Sequence, residues 1–323
     1  MTVHRRIKCL LAGPSVPIFS IAALVVAAAF AGSESFRTPY NINNVVIQTI
    51  ALGLAGLGQS FAILAGDVDL CVGGIISIVT VTAASTMRDS AASMLLTAGA
   101  GIAIGVAVGA VNGFLTSVIK IDAMVTTFAG NTILLGLALR VMESPGGYIP
   151  YSYMKLVDLD VWGIPVPLLA LAALVLASRF VLDKTVIGCH IRAVGGAPQS
   201  AYTSGVDILK TKIAAHCAAG FFAALAGLFL AARMGSGDAL SGVPFSLDSM
   251  TAVIAGGTNF STGVGSVTGT TVAAFLITAL GSIFNHMGVS TYWQYVLKGM
   301  LLVAAVTAAA LRALYAGRKA RRT

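Results

Sequence analysis

Apolar runs dominate this chain, and their lengths set its architecture. A run of about 20 apolar residues is long enough to cross a bilayer, and shorter runs qualify beside glycine breaks, where neighbouring protein or water satisfies irregular backbone. On that rule ten segments are predicted as membrane helices, near residues 16–32, 42–64, 73–87, 91–119, 123–142, 163–181, 211–232, 246–257, 264–284 and 293–312. The expected fold is all-α and polytopic, one transmembrane domain over residues 1–323. The eighth segment is short enough to be a half-helix entering a re-entrant turn.

Two interruptions stand out against this background. The first, Ala65-Gly66-Asp67-Val68-Asp69-Leu70-Cys71-Val72-Gly73-Gly74, puts two carboxylates and three glycines between long apolar segments. Bare charge and non-helical backbone are costly in hydrocarbon, so the break marks a working part. The second runs from Ala255 to Ser266 through Gly256, Gly257, Thr258, Asn259, Thr262, Gly263 and Gly265. Paired breaks in the two halves of a chain point to a transport pathway. Neither contains GxxxxGK[ST], so neither is a Walker A loop.

Composition and charge sharpen the class. Hydrophobic residues make up 57% and charged ones 10%, against about 25% charged in soluble domains. The net charge of +8 sits at chain ends and short loops rather than among aromatics on a polar face, which argues against nucleic acid. Basic residues Arg5, Arg6 and Lys8 at one end and Arg312, Arg318, Lys319, Arg321 and Arg322 at the other predict cytoplasmic termini. That requires an even number of spans. The threading then places Lys120, Arg179, Lys184, Arg192, Lys210 and Lys212 inside, and Glu34, Asp89, Glu143, Asp158, Asp160, Asp238 and Asp248 outside. The basic first stretch resembles a signal peptide but lacks a clear small-residue cleavage site, so a retained helix is expected.

Two loops are long enough to carry function. The outer one, about residues 143–162, holds turn residues, three tyrosines and Trp162; it reads equally as a docking lid and as an aromatic belt over helix ends. The inner one, about residues 183–212, brackets a helix of about two turns between Pro198 and Gly205. A short capped helix with little charge suits a groove in another protein, and also suits an ordinary surface connection.

Within the spans, Gly101, Gly105, Gly109 and Gly113 recur every fourth residue and make a smooth face for a neighbouring helix. Asn112 and Asn131 need partners or a wet cavity. Lys298 lies on the last segment, about 7.5 Å deeper than Trp293 by helical rise, and either snorkels outward or faces the pathway. Asp67 and Asp69 form a DxD pair with no further acidic or histidine cluster, so helix capping is expected rather than a metal site. Cys9, Cys71, Cys189 and Cys217 have no CxxC spacing, and His4, His190, His216 and His286 are scattered with no HExxH. No catalytic constellation emerges.

The breaks and loops together resemble one family. Gly66 through Gly73 is similar to the G-I-D-L-S-V-G signature of ribose-type ABC transporter permeases. The likeness continues in order through Val111-Asn112-Gly113, Gly188 to Gly196, Ala201, Ser204-Gly205-Val206, Ala231-Ala232-Arg233, Asp248, Gly256-Gly257-Thr258, Gly265-Ser266, Tyr292-Trp293-Gln294 and Lys298-Gly299. Cys71 stands where serine is usual, Asp67 is an added acid, and Thr262 and Val264 replace the common glycine and arginine.

The resemblance implies an inner-membrane permease subunit without an ATPase site. It would pair with a second permease, a cytoplasmic ATPase that carries the ATP and a periplasmic sugar-binding protein, and move a pentose, hexose or related polyol by alternating access. No cofactor would be bound by this chain itself. Expected ATPase-coupling residues are Gly195, Gly196, Pro198, Ala201, Ser204 and Gly205. Asp67, Asp69, Asn112, Asn131, Asn259 and Lys298 are expected along the pathway or its gates. The alternative is an ion-coupled secondary transporter using Asp67, Asp69 or Lys298 as a relay.

Overall fold

The computed structural model describes residues 38–300 apart from 162, 260, 261 and 291, together with 302–304 and 307. The predicted first span, Cys9, His4 and the basic tail lie outside the described residues. Eight of the expected segments are helices here: α1 (Pro39–Leu64), α2 (Val72–Thr86), α3 (Ala91–Ser117), α4 (Ala123–Val141), α6 (Val166–Lys184), α9 (Ile208–Met234), α10 (Val243–Ala255) and α11 (Val267–His286). Residues 292–300 begin the tenth. Among the described residues, six helices are long and apolar enough to cross a membrane, while α2 and α10 are shorter. The protein is a multi-pass, mostly helical membrane protein.

Several starts follow directly from capping chemistry. Thr38, Ser90, Asp122 and Asp207 each accept a backbone N–H from the first turn that follows, which satisfies donors that an apolar surrounding would otherwise strand. α1 is the central helix, with 83% of its most apolar stretch buried, whereas α3, α4 and α6 bury 22% of theirs. The core joins Ile50, Leu54, Leu57 and Leu64 of α1 to Val72, Ile75, Ile76 and Val79 of α2 and to Phe222 of α9. Phe61 and Phe222 stack with centroids 5.9 Å apart.

The glycine stripe of α3 lies on α9. A methyl group at Gly109 would overlap the His216 carbonyl, one at Gly105 the Gly220 carbonyl, and one at Gly113 would sit 2.7 Å from the Ile213 Cα; Gly101 faces Val79 and Leu228. Gly220 returns the contact on Gly105. Backbone rests on backbone along this seam, which gives close van der Waals contact where lipid supplies no hydrophobic drive.

Two elements differ from the sequence-based expectation. The inner loop carries two helices, α7 (Val186–Gly196) and α8 (Pro198–Thr203), rather than one; Thr185, the single residue between α6 and α7, caps α7 by accepting the Gly188 N–H. The outer loop folds into α5 (Tyr151–Asp158) and an antiparallel ribbon of β1 (Asp160–Val161) and β2 (Ile164–Pro165), a small β component in a chain expected to be all-α. Asp248 lies within α10, as the bounds of the eighth segment predicted.

The linker before α10 enters the bundle. Gly237 lies against Ala84 and Val81, and Gly242 against Gly73 and Ser77, a descent along α2 of about 11 Å at helical rise. α10 therefore starts deep, which explains its 13 residues.

The α3–α9 seam predicts a sharp positional contrast. Gly109→Leu should cost about 1–3 kcal/mol by overpacking and lower the melting temperature in detergent, whereas Gly99→Ala, with nothing within 4 Å of an added Cβ, should hold or raise it. Equal melting shifts for the two variants would remove the seam's role.

Candidate functional site

Both glycine-rich breaks end their helices in the same way. After α1, Gly66 is left-handed at φ 89°, its N–H donates to the Ile63 carbonyl at 3.0 Å, and the Asp67 N–H donates to Ala62 at 3.0 Å. After α10, Gly257 is left-handed at φ 92°, its N–H donates to Ile254 at 3.0 Å, and the Thr258 N–H donates to Val253 at 3.2 Å. These are matching Schellman closures, and only glycine takes that backbone without strain.

The first break is held by side chains from three helices. Thr127 of α4 receives the Leu70 N–H at 3.0 Å and donates to the Val68 carbonyl at 3.1 Å, while Asn131 receives the Gly74 N–H at 2.7 Å. Ser246 of α10 receives the Gly73 N–H at 3.2 Å and donates to Leu70 at 2.9 Å. Asp69 receives the Cys71 N–H at 2.8 Å through Oδ1. Asn131 thus serves backbone between helices. Asn112, also buried, leaves its Nδ2 with no hydrogen-bond partner among the described residues.

The two carboxylates converge on α9. Lys212 Nζ donates to Asp67 Oδ1 at 2.6 Å, and the fully buried His216 puts Nε2 3.3 Å from Asp67 Oδ2 and Nδ1 3.3 Å from Asp69 Oδ2. A neutral imidazole has one N–H, so bonding on both sides needs one further proton, on the ring or on a carboxyl. With that proton Asp67, Asp69, His216 and Lys212 sum to zero charge, which is what makes the buried cluster tolerable. Burial pushes the Asp67 carboxyl up, but hydrogen bonds from His216 and Lys212, with their charges, outweigh it and hold it below the usual carboxylate value. No group of three or more His, Cys, Asp or Glu side chains fit for a metal occurs among the described residues.

α7 touches both breaks at once. A methyl group on Gly195 would overlap the Leu64 carbonyl and come within 3.0 Å of the Gly66 N, and one on Gly196 would sit 2.9 Å from the Thr262 carbonyl. Arg192 Nη1 donates to the Gly265 carbonyl at 3.3 Å, while Nη2 pairs with Asp183 at 2.7 Å. Beyond Gly196, α8 is exposed except for Ala201, and Ser204 and Gly205 close it with Gly205 at φ 84°. Asn259 lies in the second break, its N–H donating to Val264 at 3.0 Å. Lys298 is not part of this assembly: it pairs with Asp248 of α10 at 2.6 Å.

Sequence reading missed His216 and Lys212 as partners of the first break. Their spacing of four places them on one face of α9, but nothing in that helix announces which residues it meets. Arg192 was placed only by its charge.

The cluster predicts non-additive energetics. Asp67→Leu or Lys212→Met alone strands a buried charge and should destabilise by about 3–5 kcal/mol, whereas the double variant should recover part of that loss. Thermal melting in detergent measures the cycle; additive losses would show that the pair is not coupled.

Comparison with known proteins gives the context for this geometry. The model of the family described as branched-chain amino acid transport system / permease component matches residues 41–306. The ribose import permease protein of Escherichia coli K12 is 29% identical over 296 residues, covering 89% of this chain and 91% of that protein. The D-allose transport system permease protein of the same organism is 30% identical over 289 residues, covering 89% of each chain. The xylose transport system permease protein of Escherichia coli K12 is 27% identical over an alignment of 353 residues, covering 90% of each. No solved structure gives a significant match. With breaks, clamps and inner helices all inside the matched region, the chain belongs to this family of transport-system permease components.

Proposed function

We propose that this chain is the membrane permease subunit of an ATP-driven importer for a monosaccharide. The observation that carries the reading is the contact of α7 with both breaks, through Gly195 on Leu64 and Gly66 and through Gly196 and Arg192 on Thr262 and Gly265. A force applied at the exposed, uncharged α8 passes through Ala197 and Gly196 to two hinge points together. A separate cytoplasmic ATPase supplies that force, because the sequence carries no Walker A loop.

In this reading the chain sits in a bacterial inner membrane with both termini cytoplasmic, and the domain spans the whole chain. It pairs with a second permease, identical or different, and takes its sugar from a periplasmic binding protein. Closure of the ATPase dimer draws α7 and α8, shifts the Gly66 and Gly257 hinges, and exchanges an outward-open path for an inward-open one. Asp67 and Asp69 lock the first hinge to α9 in one of these states. Ribose, allose and xylose, named for the relatives, set the substrate class.

The ion-coupled alternative draws on the one extra proton between His216 and its two carboxylates. It lacks continuity, since Lys298 and Asp67 are each neutralised by a different partner on a different helix.

Proteoliposomes holding the permease, its ATPase and its binding protein should accumulate a monosaccharide only with ATP, and a protonophore should leave uptake intact. Uptake by the permease alone from an ion gradient would refute the proposal. Gly205→Pro cannot take the left-handed φ at the end of α8, a strain of about 1–3 kcal/mol. That variant should keep its fold and ATP hydrolysis while uptake falls about tenfold, and unchanged uptake would remove α8 from the coupling path.

A further inference from the structure

A second feature lies away from the breaks and their clamps. Between α1, α9, α10, α11 and the helix at residues 292–300 is a cavity of about 370 Å³, within the range of small-molecule sites. Its wall carries Gln48, Arg233, Asp248, Asn285, Gln294 and Lys298, a concentration of polar groups otherwise rare in these spans. Phe229 and Phe245 supply aromatic surface on the same wall, and Leu52 and Ile277 add aliphatic surface.

The polar groups are held in place yet incompletely used. Asp248 and Lys298 fix one another at 2.6 Å through a single carboxylate oxygen. Gln294 Nε2 donates to Asn285 Oδ1 at 2.8 Å, and neither the Asn285 amide nitrogen nor the Gln294 oxygen has a side-chain hydrogen bond among the described residues. Arg233 Nη2 is tied to Asn44 at 2.6 Å, whereas its buried Nη1 has no hydrogen-bond partner among the described residues. A buried guanidinium N–H without an acceptor is costly unless something else accepts from it.

This set matches one kind of solute. A sugar presents hydroxyls that both donate and accept, which suits amides, a carboxylate and a guanidinium side by side, and a ring face of C–H groups that suits phenylalanine. The Asp248–Lys298 pair neutralises itself, so the wall does not offer the separate anion and cation that a zwitterionic amino acid would need. We propose that this cavity is a monosaccharide site built within one subunit, with Arg233 Nη1, the free Asp248 oxygen and the Asn285 and Gln294 amides binding ring hydroxyls, and Phe229 and Phe245 covering the apolar face. The proposal rests on the import reading above and places a substrate contact on the side of the bundle where α10 begins.

The test uses the full permease–ATPase assembly in membranes without the binding protein, with D-ribose, D-allose, D-xylose and L-leucine as probes. Gln48→Cys and Gln294→Cys are each labelled with a membrane-impermeant maleimide, and Tyr148→Cys in the outer loop serves as control. The imported sugar should slow labelling at both cavity positions at least about threefold, the factor expected at a concentration of about twice Kd, and leave Tyr148→Cys and the leucine arm unchanged. As a second measurement, the same sugar should raise the melting temperature of the wild-type assembly, and Asn285→Leu should abolish that rise. If the complete transporter imports a sugar that neither protects the cysteines nor shifts the wild-type melt, the site is overturned and the import reading stands. If it imports none of the three sugars, or leucine alone protects, both are overturned.

Discussion

A helix that stops inside an apolar bundle leaves amides and carbonyls where no water reaches them, and closing two such stops organises this protein. The left-handed residues Gly66 and Gly257 return the chain's own N–H groups to the carbonyls of α1 and α10. Donors left over at the start of α2 go to Asp69, Asn131 and Ser246, and the Leu70 N–H goes to Thr127. These acceptors come from the break itself, from α4 and from α10. The position of α4 and α10 around α2 is thus fixed by backbone chemistry as much as by apolar packing.

The electrostatic core follows from the same stop. Asp67 and Asp69 are exposed to little water, so α9 must bring compensating groups to them, and Lys212 and His216 lie one turn apart on the face that does so. The approach of α9 is possible because Gly105, Gly109 and Gly113 remove side chains from α3. A seam of glycines and a buried charge cluster are therefore two halves of one arrangement. Either would be unstable alone: α9 held away would strand the carboxylates, and a close helix carrying no charge would desolvate them without compensating them.

Much of this was legible in residue pattern. The boundaries of α1 to α4, α6 and α9 to α11 track the apolar runs closely because length and hydrophobicity are local properties. The two breaks announced themselves through glycine in apolar surroundings, the first also through its two acids. What stayed hidden depends on contacts between distant residues: the partnership of His216 with Asp69 spans 147 positions, and that of Arg192 with Gly265 spans 73. α7 was unreadable as a helix because its glycines at 188, 195 and 196 weaken local propensity, and those same glycines admit the neighbouring backbone. The descent of the linker before α10 into the bundle also stayed hidden, because that linker has an ordinary turn composition.

That descending linker has an electrical effect. It brings the first turn of α10 beside the first turn of α2, where Gly242 meets Gly73, so two helix N-termini converge inside the bundle. Each carries roughly half a positive charge. Asp69 answers the one on α2, but the first turn of α10 holds no acid. The bundle therefore holds an uncompensated positive end of α10 packed directly on the backbone of α2. That fixed field inside the protein disfavours a cation beside it and favours an oxygen acceptor such as the Ser77 hydroxyl, which takes the Gly242 N–H at 3.1 Å.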